Sequence, residues 1–151
     1  DMSAIAHKNQ TSYTTLGNAY TKLWADTFMH FCDNDILKNA IVKSVYKNDG
    51  KVIFTLPRNL NNEEVFPLNA IVILCRENEA VCNLHKISAM ESFVYLYKNN
   101  YIRYACSEKE NLIQAKLLFD IISRTPVYLL SYKSGYEYLD DAAYCIEALT
   151  E

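Results

Sequence analysis

Glycine and proline are scarce in this sequence, with 3 of each in 151 residues. A chain with so few breakers is expected to use long regular elements and few tight turns. Long apolar runs are missing as well. No stretch approaches the roughly 20 apolar residues that a bilayer-spanning helix needs, and no signal-peptide pattern is present. Positive charge is not in excess: 15 Lys and Arg stand against 18 Asp and Glu, for a formal net charge of −3. The cations are scattered, whereas a nucleic-acid module would show a basic face, so neither direct nucleic-acid binding nor membrane association is expected. The 5 cysteines are an odd number without CxxC or zinc-finger spacing. They read as free thiols in a reducing cytosol or nucleus. A glycine-rich phosphate loop, a GxSxG elbow and an HExxH helix are absent too. No catalytic residue, cofactor or metal is therefore expected.

What is present is a globular composition. Half of the residues are hydrophobic and 22% are charged, which suits one domain with a real core and excludes intrinsic disorder. Tyrosine is abundant, at 12 residues. It offers large contact area at low entropic cost and so suits a binding surface, although strand packing is its commoner use. The first residue is Asp1 instead of methionine, as in a piece of a longer protein.

The most legible stretch covers residues 107–149. Ser107 and Glu110 have capping-box spacing, a hydroxyl followed three residues later by a carboxylate that can reach back. Leu112, Ile113, Leu117, Phe119, Ile121 and Ile122 follow at broadly helical spacing. Thr125-Pro126 stops that helix, because proline disfavours the α conformation in the residue before it. Residues 127–130 are a short apolar run of the buried-strand kind, Ser134-Gly135 turns the chain, and residues 138–149 make a second amphipathic helix.

Upstream, residues 1–12 are polar and aperiodic, a flexible N-terminal segment. A helix is expected over 14–31, with Leu16, Tyr20, Leu23, Trp24, Phe28 and Phe31 on one side. Trp24, the single tryptophan, would anchor that helix on the body or face a partner. Asp33-Asn34-Asp35 offers a cap for a second helix over 36–46. Together these make a helical extension spanning 13–47, ahead of an α/β domain at 48–151. Residues 51–56 read as a β-branched and aromatic strand, and 58–64 as a polar loop. Residues 65–75 are ambiguous: Pro67 fits the first turn of a helix, yet Ala70-Ile-Val-Ile-Leu74 is as good a buried strand, towards which the balance tilts. Strands are further expected at 80–84 and 92–97, with a connection at 85–90 and a turn at 98–100. This order implies an α/β fold, a small and mainly parallel sheet flanked by helices. Ligands gather at the carboxyl ends of strands in such sheets, here residues 55–60, with Thr55 and Arg58, and 131–135, with Tyr132 and Lys133.

Clusters with chemical potential are few. His30 and Cys32, two apart, fall on different sides of a helix and suit neither a dyad nor a metal. Cys75, Cys82 and His85 approach a ligand set but lack a fourth member at the usual spacing. Asp140-Asp141 stands at a helix start, where carboxylates meet the positive end of the helix dipole.

The hydrophobic strand expected over residues 93–97, the helix carrying Ala115-Lys116-Leu117-Leu118, the segment Arg124-Thr-Pro-Val-Tyr-Leu-Leu130 and the final helix together resemble the second half of a BRCT domain. The N-terminal extension is similar to that of helix-extended BRCT domains, which occur in a silent-chromatin scaffold of telomeres and in the regulatory subunit of a replication-initiating kinase. The resemblance covers the last third of the chain and, more loosely, the first strand. It implies a nuclear scaffold domain that docks peptides or folded partners, with the family's phosphate-binding hydroxyl at Thr55 and its lysine at Lys116. A hydroxyl and an ammonium converging on one phosphate each add a charge-assisted hydrogen bond. The glycine that follows the hydroxyl in that family is Leu56 here, Pro57 comes next without a backbone donor, and Tyr138 is the nearest aromatic to the family's last-helix tryptophan. These departures weigh against a phosphopeptide and leave plain protein–protein docking.

The leading expectation is thus a non-catalytic interaction domain, with Trp24, Thr55, Arg58, Lys116, Tyr132 and Lys133 as partner-binding residues. Two others stand beside it: a small α/β enzyme with a cysteine nucleophile and His85 as base, and a viral host-factor-binding protein, suggested by the asparagine- and tyrosine-rich composition.

Overall fold

The computed structural model describes residues 5–8, 11–15, 20–33, 35–38, 40–46, 50–55, 65–78, 82–100 and 104–149. The chain forms two compact units, Asp1–Ala6 with Tyr13–Pro67, and His7–Ser12 with Leu68–Glu151. In chain order the described elements begin with strands β1 (Ile5–Lys8), β2 (Thr11–Thr15) and β3 (Tyr20–Trp24). Helices α1 (Ala25–His30) and α2 (Asp35–Lys38), then strands β4 (Ile41–Tyr46), β5 (Lys51–Thr55) and β6 (Val65–Pro67), follow; β3 to β6 with both helices lie in the first unit, whereas β1 and β2 each have residues in both.

The first unit is organised by β5. It lies between β3 and β4 and pairs antiparallel with both. Its side chains alternate as a strand requires: Val52 and Phe54 are buried, while Lys51, Ile53 and Thr55 are half-buried on the other face. Phe28 of α1 lies over Phe54 with ring centroids 5.1 Å apart, closing that small core. Gly50 supplies the turn into β5 at φ +60°, a left-handed conformation in which glycine has no Cβ to clash. Its carbonyl accepts from the Ala25 amide at 2.7 Å, which fixes the start of α1. Strand β2 pairs antiparallel with β6, with Thr14 opposite Phe66.

In the second unit the described elements are β7 (Ile71–Arg76), β8 (Asn83–Lys86), α3 (Ala89–Lys98), α4 (Glu108–Ile122), β9 (Val127–Tyr132), a 3-10 turn (Tyr136–Tyr138) and α5 (Leu139–Glu147). Strand β9 is central, parallel to β7 and antiparallel to β8. Val127 and Leu130 of β9 are buried, as are Ile121 and Ile122 from α4 and Ala142 from α5. Both long helices begin on capping boxes. The Ser88 and Ser107 hydroxyls accept from the amides of Glu91 and Glu110, whose carboxylates accept in return from the serine amides at 3.0 and 2.7 Å. Helices α3 and α4 meet through Phe93 and Phe119, with ring centroids 6.2 Å apart. Asn100 and Gln114 clamp the junction between these helices, with Asn100 donating to Gln114 at 2.7 Å and Gln114 donating to the Cys106 sulfur.

Several expectations are corrected by this architecture. The sheet is not mainly parallel: among the described pairings β7–β9 is parallel, whereas β2–β6, β3–β5, β4–β5 and β8–β9 are antiparallel. Nor is the N-terminal part a helical extension. Residues 20–24 and 41–46 are strands, and α1 and α2 are only 6 and 4 residues long. The physical reason is the ladder offered by β5. Tyr20-Thr21 and the Ile-Val pair that opens β4 are aromatic or β-branched, and a neighbouring strand satisfies their amides better than an isolated helix would. Residues 92–97 are helical, because Ser88 and Glu91 cap a helix start just upstream. Of the strand expected at 80–84, residues 83 and 84 open β8 (Asn83–Lys86), and residues 80 and 81 lie outside the described residues. Of the ambiguous residues 65–75, 65–67 form β6 and 71–75 belong to β7, so strand is the outcome.

Candidate functional site

The carboxyl ends of the parallel pair β7 and β9 carry a cluster of polar side chains. Arg76 is directly opposite Tyr132 in the register, and its Nε donates to the Tyr132 hydroxyl at 3.2 Å. That bond holds the guanidinium above its ordinary range, which leaves it a fixed cation. Beside it the Glu77 amide donates to the Tyr132 carbonyl at 3.0 Å, continuing the ladder one step past β7. The Glu77 carboxylate accepts from the buried Ser131 hydroxyl at 2.9 Å, so this hydroxyl is satisfied inside the sheet end. Lys133 stands with its ammonium 4.8 Å from the Tyr138 ring centroid. Hydrogen bonding to Tyr138 raises the lysine above its usual value, helped by the charges of Tyr138 and Glu137. Tyr132 and Lys133 are thus brought into one neighbourhood with Arg76, Glu77 and Tyr138. The first two were legible as strand-end residues; Arg76 and Glu77 depend on the register of β7 with β9, which spacing alone does not give, and Tyr138 is brought back by the turn that follows β9.

The other expected residues fall elsewhere. Trp24 ends β3 opposite Lys51, whose ammonium lies 4.3 Å from its ring centroid, and the indole is 54% exposed. It anchors no long helix; it shields the end of a strand and is paired with a cation. Thr55 is the last residue of β5, and its hydroxyl donates to the Ile41 carbonyl at 3.5 Å, within the first unit. Arg58, Leu56 and Pro57 lie outside the described residues. Lys116 belongs to the second unit and is exposed on α4.

Around Lys116 the surface of α4 is apolar. Leu112, Ile113 and Phe119 lie four or three residues from it and Leu117 next to it, with exposures of 68%, 60%, 50% and 41% respectively. The inner face of the same helix is made by Asn111, Gln114, Ala115, Leu118, Ile121 and Ile122, all buried or half-buried. The signal for this was present in the sequence. Leu112-Ile113 and Leu117-Leu118-Phe119 are adjacent apolar residues, and at 100° per residue they cannot all share one face.

Cysteine chemistry takes a different form from a nucleophile with a base. The Cys82 sulfur lies 3.0 Å from Cys145 and donates to the Asp141 carbonyl at 3.5 Å. Burial, then the hydrogen bond to Cys145, push its thiol up to about 11. A nucleophilic cysteine needs the opposite shift. His85 is exposed on β8, opposite Leu129. Among the described residues no group of three or more His, Cys, Asp or Glu is placed to hold a metal ion, and no helix is long and apolar enough to cross a membrane. No family model matches the chain, and neither a curated protein nor a solved structure shows significant similarity to it.

Proposed function

We propose that the chain is a non-catalytic protein–protein docking module, binding an amphipathic segment of a partner protein on the outer face of α4. The observation that carries this reading is the exposure of Leu112, Ile113 and Leu117 on one 15-residue helix, with Phe119 half-exposed at the edge of the patch where its ring meets Phe93 of α3. Isolated exposed apolar residues need no explanation, but four large ones on consecutive turns suit a surface meant to be covered. Lys109 and Lys116, two turns apart, share the row between Leu112 and Ile113. An acidic residue in the partner segment sets its register against them, while the apolar side chains supply the affinity. The resemblance to the second half of a BRCT domain, carried by residues 115–118 and 124–130 and the final helix now that residues 93–97 are helical, supports the same class of role and suggests a nuclear scaffold as its setting. Cys82, paired with another sulfur and raised by burial, is disfavoured as the nucleophile of a cysteine enzyme.

The test is a selection of random displayed peptides on the full chain, followed by affinity measurement of the enriched peptides. The expected motif has apolar residues three or four apart with an acidic neighbour. The double variant Leu112→Asp, Ile113→Asp weakens binding by about tenfold or more, the loss of one good apolar anchor. Both side chains are largely exposed, so the variant keeps its fold, which circular dichroism checks. Failure of any motif to enrich, or affinity unmoved by the double variant, rejects the proposal.

A further inference from the structure

We propose that Cys82 and Cys145 form a redox-modification site, at which a small-molecule disulfide such as oxidised glutathione converts two thiols into one protein disulfide. All five cysteines are free thiols. These two come from different elements of the second unit. Cys82 immediately precedes the edge strand β8, and Cys145 lies in the last turn and a half of α5. They are separated by 63 positions in the chain, yet their sulfurs are 3.0 Å apart. A disulfide bond is about 2.05 Å long, so a relative movement of about 1 Å closes it. Cys82 is also held to α5 by its bond to the carbonyl of Asp141, one turn before Cys145, so the pair is aligned by two contacts. Both thiols are half-buried, within reach of a small reagent. Cys75 and Cys106 direct their sulfurs to Glu77 and Gln114 instead.

The chemistry balances as two exchanges. Cys145, as thiolate, attacks one sulfur of the reagent; the reagent's S–S bond breaks, one glutathione leaves as thiolate, and Cys145 carries the other as a mixed disulfide. Cys82, the thiol that burial keeps protonated, then gives its proton to water and attacks the Cys145 sulfur. That expels the second glutathione thiolate. The two leaving thiolates take up the two protons, so two protein thiols are oxidised and one small disulfide is reduced to two thiols. The product staples α5 to the β8 edge of the sheet and is undone by excess reduced glutathione.

The full chain is incubated with glutathione buffers of increasing oxidised fraction, acid-quenched, alkylated, digested without reductant and mapped by mass. The expected result is a Cys82–Cys145 linked peptide, two hydrogens lighter than the reduced pair, formed within a monomer and ahead of any other cysteine linkage. Closing so long a loop raises the thermal midpoint by about 5–15 °C relative to the reduced protein. The Cys82→Ser variant accumulates a stable glutathione adduct on Cys145. Adducts on both cysteines of the wild-type chain without a linked peptide, linkage only after denaturation, or linkage only between chains overturns the proposal. The wild-type map decides the matter even where a serine variant does not fold.

Discussion

Gly135 shows how much one residue can be asked to do. It stands between β9 and α5 at φ 141°, ψ 149°, a region that only glycine occupies without strain. A Cβ there would also meet the Glu137 carboxylate at 2.6 Å. Gly135→Ala is expected to lower unfolding free energy by about 1–3 kcal/mol, read from denaturant curves, through backbone strain and the displaced carboxylate. Trp24 illustrates the opposite case. Its size marked it as an anchor, yet its pairing with Lys51 at a strand end follows from the β3–β5 register and not from its own chemistry. Tyr132 and Lys133 were identifiable because they end an apolar strand, but their neighbours Arg76 and Glu77 come from a distant segment of the chain.

At the scale of elements, the caps are the most local feature and the most legible. Ser107 with Glu110 was readable as a capping box, and Ser88 with Glu91 is its twin, overlooked because the residues after it are rich in aromatics. Ser107→Ala should cost about 0.5–2 kcal/mol of stability, measured by chemical denaturation. The caps also confer a pH dependence. Hydrogen bonds from the serine hydroxyl, then from the serine amide, lower the pKa values of Glu91 and Glu110 below the ordinary 4.5. A carboxylate with a depressed folded-state value binds fewer protons folded than unfolded, so its stabilisation is present above 4.5 and is lost as pH falls through the depressed value. An acid titration of the thermal midpoint should therefore be shallower for the double variant Ser88→Ala, Ser107→Ala than for the wild-type chain. Helices α1 and α2 fail the same legibility. Their flanks, 20–24 and 41–46, have apolar residues at spacings compatible with either period, and strand partners distant in sequence decided between them.

For each unit as a whole, one strand sets the arrangement. In the second unit β9 is bonded on both sides and carries Leu130, which has no exposed surface. Native-state hydrogen exchange should find the amides of residues 129–131 among the slowest in this unit and those of edge strand β8 faster, because opening β9 requires disrupting the core. In the first unit β5 holds the same position between β3 and β4. Both central strands are legible as strands in the sequence. Their directions relative to their neighbours are not, since a single run of apolar residues says nothing about whether its partner arrives by a hairpin or a crossover. Hence the expectation of a mainly parallel sheet, when one described pairing is parallel and four are antiparallel.

By itself the sequence determined what short-range chemistry can specify: the α4 cap, the proline stop before β9, the glycine turns, and the strands whose β-branched runs admit little else. It also determined that α4 would have more apolar residues than one face can bury. Only the tertiary structure decided which of those residues face outward around Lys116, and that residues 20–24 and 41–46 are strands. It likewise decided that Cys82 and Cys145, far apart in the chain, would bring their sulfurs together. The physical reason is common to all three. Side-chain period and capping act over a few residues, whereas exposure, strand pairing and thiol proximity depend on partners contributed by distant parts of the chain.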